Sequence, residues 1–170
     1  MCAFCEFNSQ QIVILETSYQ NTQKVYIQIS DYVKMNQNQG INALKFASQT
    51  LLVATCQEQV FLIPLIRKGS RPSTTLISKI CLTSKATKAC AKNQKSSYAS
   101  SLTAHFSVFN GVYELLACNS RVIALSSRRS NHVYIIDIKS QTITQSIQFP
   151  HTVQCLDLSA EDKLAVGFGK

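Results

Sequence analysis

Eight basic residues, Arg67, Lys68, Arg71, Lys79, Lys85, Lys88, Lys92 and Lys95, fall in a stretch that holds no acid. The whole chain has 17 Lys and Arg against 9 Asp and Glu, so outside this stretch nine basic residues balance nine acids. The net charge of +8 therefore belongs to one segment. The chemistry such a run can do is to hold anions. Each Lys or Arg beside an anionic bilayer contributes on the order of 1 kcal/mol, so Lys79, Lys85, Lys88, Lys92 and Lys95 are candidates for contact with an anionic membrane or phosphate. The alternative is a solvated linker kept in solution by its lysines. Nucleic acid would feel the same charge. Yet Tyr98 is the one ring in the segment, so no platform for base stacking exists and nucleic acid is not an expected partner. Arg128-Arg129, flanked by Ser127 and Ser130, adds a smaller basic point. It reads as a solvated hairpin turn or, functionally, as a second phosphate contact.

Metal and nucleophilic chemistry find less support. Cys2-Ala-Phe-Cys5 has the spacing of half a zinc site, but no second close pair or histidine partner completes it. Cys56, Cys81, Cys90, Cys118 and Cys155 are scattered. Seven cysteines without a secretory signal point to a reducing compartment, with free thiols expected mostly buried as small hydrophobes. His105, His132 and His151 show no repeated spacing, and no Ser, Cys or acid falls in a nucleophile motif. Catalytic residues, a metal site and a cofactor are not expected.

The elements that must position these residues are strands. Val112–Cys118, Val122–Ser127, Val133–Ile138 and Thr142–Phe149 are short runs, three of them rich in Val, Ile and Tyr, separated by tight polar breaks. Such runs predict four sequential antiparallel strands, one blade of a propeller. The same pieces recur along the chain. First strands are expected at Phe4–Phe7, Ile41–Ala47, Val112–Cys118 and Val153–Ser159, and second strands at Gln11–Thr17, Leu51–Cys56, Val122–Ser127 and Leu164–Gly169. Third strands are expected at Val25–Ser30, Val60–Leu65 and Val133–Ile138. The first strands start 37, 71 and 41 residues apart. Two of those steps match a blade of about forty residues.

The long middle step contains the basic segment. Residues 67–101 are mostly Ser, Thr, Lys and Asn, too poor in apolar side chains to offset the entropy of ordering them. They read as a mobile basic loop inserted between blade strands, with a short strand conceivable at Leu76–Ile80. The fourth strand of the second blade is then expected beyond it, near Ala104–Phe109. The fold class that follows is all-β: one incomplete propeller domain over residues 1–170, of about three four-stranded blades plus two strands. No apolar run approaches the eighteen or so residues that cross a bilayer.

Two resemblances follow from these residues. Val133-Tyr-Ile-Ile-Asp-Ile resembles the third strand of a tryptophan–aspartate (WD40) repeat, with Asp137 at the position of that family's Asp and Ile136 in place of its Trp. Arg121-Val-Ile-Ala-Leu, Val133-Tyr-Ile-Ile-Asp-Ile and Ser140-Gln-Thr-Ile-Thr together look like the third blade of the PROPPIN family. Phe109-Asn-Gly-Val-Tyr-Glu-Leu-Leu-Ala-Cys-Asn-Ser-Arg-Val-Ile-Ala-Leu is most similar to the branch related to the breast-carcinoma-amplified-sequence proteins. The likeness spans residues 104–167. It implies a seven-bladed, non-enzymatic, cytoplasmic scaffold, peripheral on phosphoinositide-bearing membranes in autophagy. The family's Phe-Arg-Arg-Gly headgroup motif lies in a later blade, so its residues have no counterpart here. A WD40 module that binds other proteins without lipid specificity is the alternative. Seven blades need about three hundred residues at this period. A shorter run leaves open sheet edges, through which self-association is expected.

Overall fold

The computed structural model describes residues 2–5, 9–17, 22–31, 40–57, 59–68, 71–73, 78–81 and 112–169. Strands form wherever β-branched and aromatic residues alternate between two packed faces. The first sheet joins β1 (Cys2–Phe4), β2 (Gln11–Thr17) and β3 (Thr22–Gln28), followed by a 3-10 turn at Ile29–Asp31. The second has β4 (Ala43–Ser48), β5 (Leu51–Cys56) and β6 (Gln59–Pro64) in sequential order. A separate hairpin, β7 (Ile66–Lys68) with β8 (Arg71–Ser73), comes next, and β8 lies beside β3. Then β9 (Ser78–Cys81) pairs antiparallel with β6 and completes the second sheet as its fourth strand.

The third sheet is the meander of β10 (Leu115–Cys118), β11 (Val122–Ser126), β12 (His132–Asp137) and β13 (Thr142–Gln148). The fourth is β14 (Val153–Leu158) with β15 (Leu164–Phe168). Every pairing is antiparallel. Three blades, the first with three described strands, and two further strands are therefore present, as the sequence predicts.

The basic segment departs from its expected reading. Residues 66–68, 71–73 and 78–81 are strands, where the sequence had suggested only one short strand in a loop. The fourth position of the second blade is filled by β9, next to β6, so it does not wait for residues 104–109. Ser78 and Lys79 make β9 look like loop, but a strand on the outer edge of a blade needs only one partner and tolerates polar residues. Residues 82–111, and with them Ala104–Phe109, lie outside the described residues.

The core sits between the sheets. Ile12, Ile14 and Ile27 of the first sheet pack on Leu52, Ala54, Phe61 and Ile63 of the second. Val53, Val60 and Leu62 turn the other way, onto Ile123, Leu125, Tyr134 and Ile136 of the third. Ala117, Ala124 and Val133 then meet Val153, Leu156, Leu158 and Val166 of the fourth. Adjacent residues of β5 and of β11 thus enter different cores, which is why those strands read as continuous apolar runs. The innermost strands β1, β4, β10 and β14 stand side by side in that order. Sheets stacked face to face around a line of first strands have the geometry of a propeller.

Candidate functional site

Antiparallel order sorts the turns onto two ends. The β10–β11, β12–β13 and β14–β15 turns share one, here the Asn119 end. The β5–β6 turn, the β11–β12 turn and the β13–β14 connection share the other, the Arg128 end. Two backbone bonds fix the second group: Tyr113 N–H donates to Gln57 O at 3.2 Å, and Val153 N–H donates to Ser130 O at 2.9 Å.

At the Arg128 end, Arg128 and Arg129 occupy the β11–β12 turn, and both are exposed. Ser127 shapes that turn, its Oγ accepting from Arg129 N–H at 3.3 Å and its carbonyl from Ser130 N–H at 2.9 Å. Ser130 Oγ accepts from His132 N–H at 3.0 Å, so the buried serines hold the arginines out into solvent. His151, in the next connection, meets the ring of Phe168 edge-on at 6.4 Å, and Phe168 packs on Phe149 at 5.2 Å. Of the predicted lysines, Lys79 lies on β9; Lys85, Lys88, Lys92 and Lys95 lie outside the described residues. Both anchors of that segment are described, however. β9 ends at Cys81, opposite Gln59, and the chain re-enters at Tyr113 beside Gln57. The chain between these anchors, which carries Lys85, Lys88, Lys92 and Lys95, therefore leaves and rejoins the fold at the end that carries Arg128 and Arg129, whereas Arg67, Lys68, Arg71 and Lys79 lie on β7, β8 and β9.

The Asn119 end is a rigid seam. Asn119 is buried, and its Nδ2 donates to Ser159 O at 2.8 Å and to Asp162 Oδ1 at 2.7 Å. Its Oδ1 accepts from the N–H groups of Arg121 at 2.9 Å and Val122 at 3.0 Å, and Arg121 pairs with Asp162. The same role recurs in every sheet. Ser9, Ser48, Asn119 and Ser159 each accept from the N–H two residues on, at Gln11, Thr50, Arg121 and Glu161. These side-chain turns close the step from first to second strand. Their spacings of 39, 71 and 40 residues repeat those of the strands. The sequence reading missed them because one Ser among many in polar breaks carries no apolar signal; the available clue was a spacing within two residues of that of the first strands.

Asp137, matched to the repeat family's Asp, accepts from Ser140 N–H at 2.6 Å and so closes the β12–β13 turn. That bond, with the Ser140 hydroxyl, holds its carboxyl below the usual range. Lys45 on β4 reaches Asp157 on β14 at 2.7 Å, past the intervening first strand β10, and this contact lowers the Asp157 pKa. Burial pushes the Cys118 thiol up to about 12 despite the opposing charge of Lys45, so at neutral pH it is a protonated small hydrophobe. Cys56 is likewise buried, whereas Cys2 and Cys155 are exposed, so the expectation of buried thiols holds only in part. Cys2 is exposed, while Cys5 is half-buried against the first core. Among the described residues no group of three His, Cys, Asp or Glu could hold a metal ion, and no helix is long and apolar enough to cross a membrane.

No protein family matches this sequence, and no curated protein does either. Solved structures do. The Cps50 (Swd1) β-propeller domain of Myceliophteria thermophila is 12% identical, with a TM-score of 0.54 over 94% of this chain and 44% of that one. The Pan2 WD40 domain of Neurospora crassa is 11% identical, with a TM-score of 0.44 over 88% of this chain and 39% of that one. The first of these likenesses and the stacked meanders show the fold: a partial β-propeller. The chain spans less than half the length of the structures it matches. Neither of the two is a PROPPIN.

Proposed function

We propose that the chain is a non-enzymatic propeller scaffold that binds other proteins through the loops of its Arg128 end. The observation that supports this most is the allocation of the strands. In the second and third sheets both faces are consumed by stacking, so recognition falls to the loops that the stack holds in place. At the Asn119 end the polar groups are spent on closing turns and joining sheets. At the Arg128 end two arginines stand free of the core, and both anchors of the stretch that carries Lys85, Lys88, Lys92 and Lys95 lie beside them. Binding partners with acidic surfaces fit that end.

A second reading is contact with an anionic, phosphoinositide-bearing membrane, in the peripheral cytoplasmic role in autophagy that the PROPPIN resemblance implies. The shared placement of the basic segment's anchors and the arginine turn favours it, because charges on one end can meet one flat surface together. One experiment with two arms separates the readings. In the first, a photo-crosslinker placed at Arg128 is compared with one placed at Lys139, at the opposite end. The scaffold reading expects discrete protein adducts from position 128 and none from 139; equal labelling from both would refute it. In the second, flotation is measured with vesicles of phosphatidylcholine, phosphatidylserine and a phosphoinositide. Membrane contact should weaken steeply with salt, since exposed charges are screened over about 10 Å at 0.1 M. Replacing Lys85, Lys88, Lys92 and Lys95 by Gln should remove most of it, and replacing Arg128 and Arg129 much less. No flotation at low salt would discard the membrane reading and leave the first arm intact.

A further inference from the structure

Two neighbouring connections at the Arg128 end are joined residue to residue. Phe149 N–H donates to Asn131 O at 2.8 Å, and Asn131 Nδ2 donates to Phe149 O at 3.0 Å. Val153 N–H donates to Ser130 O at 2.9 Å. The turn that carries Arg128 and Arg129 is thus fixed to the connection that carries Pro150 and His151. Backbones bonded in this way lie about 5 Å apart, and Arg129 and His151 are each a residue or two from a bonded partner, so they stand on the order of 10 Å apart. Neither residues 127–131 nor residues 149–152 include an acid. Glu114, ahead of β10, is the one acid of the third sheet at this end.

The two connections offer different chemistry. Both arginines are exposed, and the bonds made by Ser127 and Ser130 keep them turned to solvent. Pro150 and His151 are exposed as well, and Phe149 is half-buried. The rings of His151, Phe168 and Phe149 form a row, with successive centroids 6.4 Å and 5.2 Å apart. An exposed ion pair by itself contributes little to binding. A carboxylate held by Arg128 or Arg129 therefore needs an apolar contact close by, and the row of rings provides one. Arginine and aromatic side chains are enriched at protein interfaces, and connections already fixed by backbone bonds lose little entropy when a partner docks.

We propose that the partner at this end presents an extended segment in which acidic residues stand about three positions from an aromatic or large aliphatic one. The acids meet Arg128 and Arg129, and the apolar side chain lies on Pro150, His151 and Phe149. Three residues of extended chain cover about 10 Å, the separation of the two connections. The inference rests on the reading of the Arg128 end as a protein-binding surface, and it adds the pattern that the partner must carry. His151 acts here as a ring and not as a charge.

Fluorescence anisotropy of the 170-residue chain with short labelled peptides tests this. The probe has two glutamates and a phenylalanine three residues beyond them, in a glycine–serine frame. Exchanging its glutamates for glutamine, or its phenylalanine for serine, should each weaken binding about tenfold, the effect of losing one strong contact. Arg128→Gln with Arg129→Gln should abolish the preference for glutamate and keep that for phenylalanine. His151→Ala should do the reverse, and His151→Phe should bind the probe as the unaltered chain does. The peptide exchanges need no variant to fold. Binding that ignores the phenylalanine, or that His151→Lys retains and His151→Phe does not, would mean that charge alone acts at this end. The inference then falls, while the reading of an end that takes acidic partners stands. No binding of the probe to the unaltered chain would also overturn the inference, and the photo-crosslinks from position 128 would decide the broader reading by themselves.

Discussion

Phe61→Ala is expected to lower the unfolding free energy by about 3–5 kcal/mol, the usual range for removing a fully buried aromatic ring. Among the described residues Phe61 is the largest of the completely buried side chains, and it has no exposed surface. It projects from β6, the third strand of its sheet, into the core shared with Ile12, Ile14 and Ile27. Truncation leaves a cavity that neither rigid sheet can collapse to fill. Because the apolar faces of each sheet pack only on adjacent sheets among the described residues, and the Lys45–Asp157 contact past the third sheet is exposed, the loss should be local, as in other stacked repeats. Hydrogen exchange should show residues 11–28 losing protection first, while 122–137 keep theirs. The check is the midpoint of denaturant unfolding together with that exchange pattern. An uncoupling of the fourth sheet before the first would show that stability is not passed between neighbours in this way.

The strands that the sequence revealed most faithfully are those with two apolar faces. Gln11–Thr17 and Leu51–Cys56 match the expected bounds at both ends because alternation and β-branching coincide there. Bounds set by hydrogen bonding were less legible. β3 begins at Thr22, not Val25, since Thr22, Gln23 and Lys24 pair with Thr17, Glu16 and Leu15 across a hairpin whose polar tip has no apolar signature. β10 begins at Leu115, not Val112, because the Tyr113 N–H is used on Gln57 of another sheet. β1 was placed two residues late; it is Cys2–Phe4, and residues 6–8 lie outside the described set. The outer strand β9 was the hardest to see, being polar and held by one neighbour. As for the candidate site, the arginine turn was readable from Ser-Arg-Arg-Ser between two strands. Which end of the stack it shares with the basic segment depends on strand order, which only the pairing of β9 with β6 supplies.

Asn119→Ala is expected to cost about 2–4 kcal/mol and to loosen the fourth sheet from the third. The side chain makes four hydrogen bonds, two within its own turn and two across to the β14–β15 turn. A typical bond contributes about 1 kcal/mol net, and leaving a buried group without its partner costs about 1–3 kcal/mol. Ser159 O and the N–H groups of Arg121 and Val122 would each lose a partner, although solvent at the end of the stack can replace some of them. Arg121 and Asp162 would still pair, but with Arg121 largely exposed that contact contributes little. The fourth sheet has only two strands and one covered face, so it has few other attachments. Exchange protection of 153–168 should therefore fall well before that of 115–148. Asn119→Asp separates the two halves of the network: it keeps the acceptor for Arg121 and Val122 but removes both donors to the neighbouring turn and places a carboxylate against Asp162. If the seam joins the sheets, Asn119→Asp should free the fourth sheet as much as alanine does while the β10–β11 turn keeps its protection. Equal loss of protection in both places would mean that Asn119 serves its own turn and that the sheets are held by their apolar faces alone.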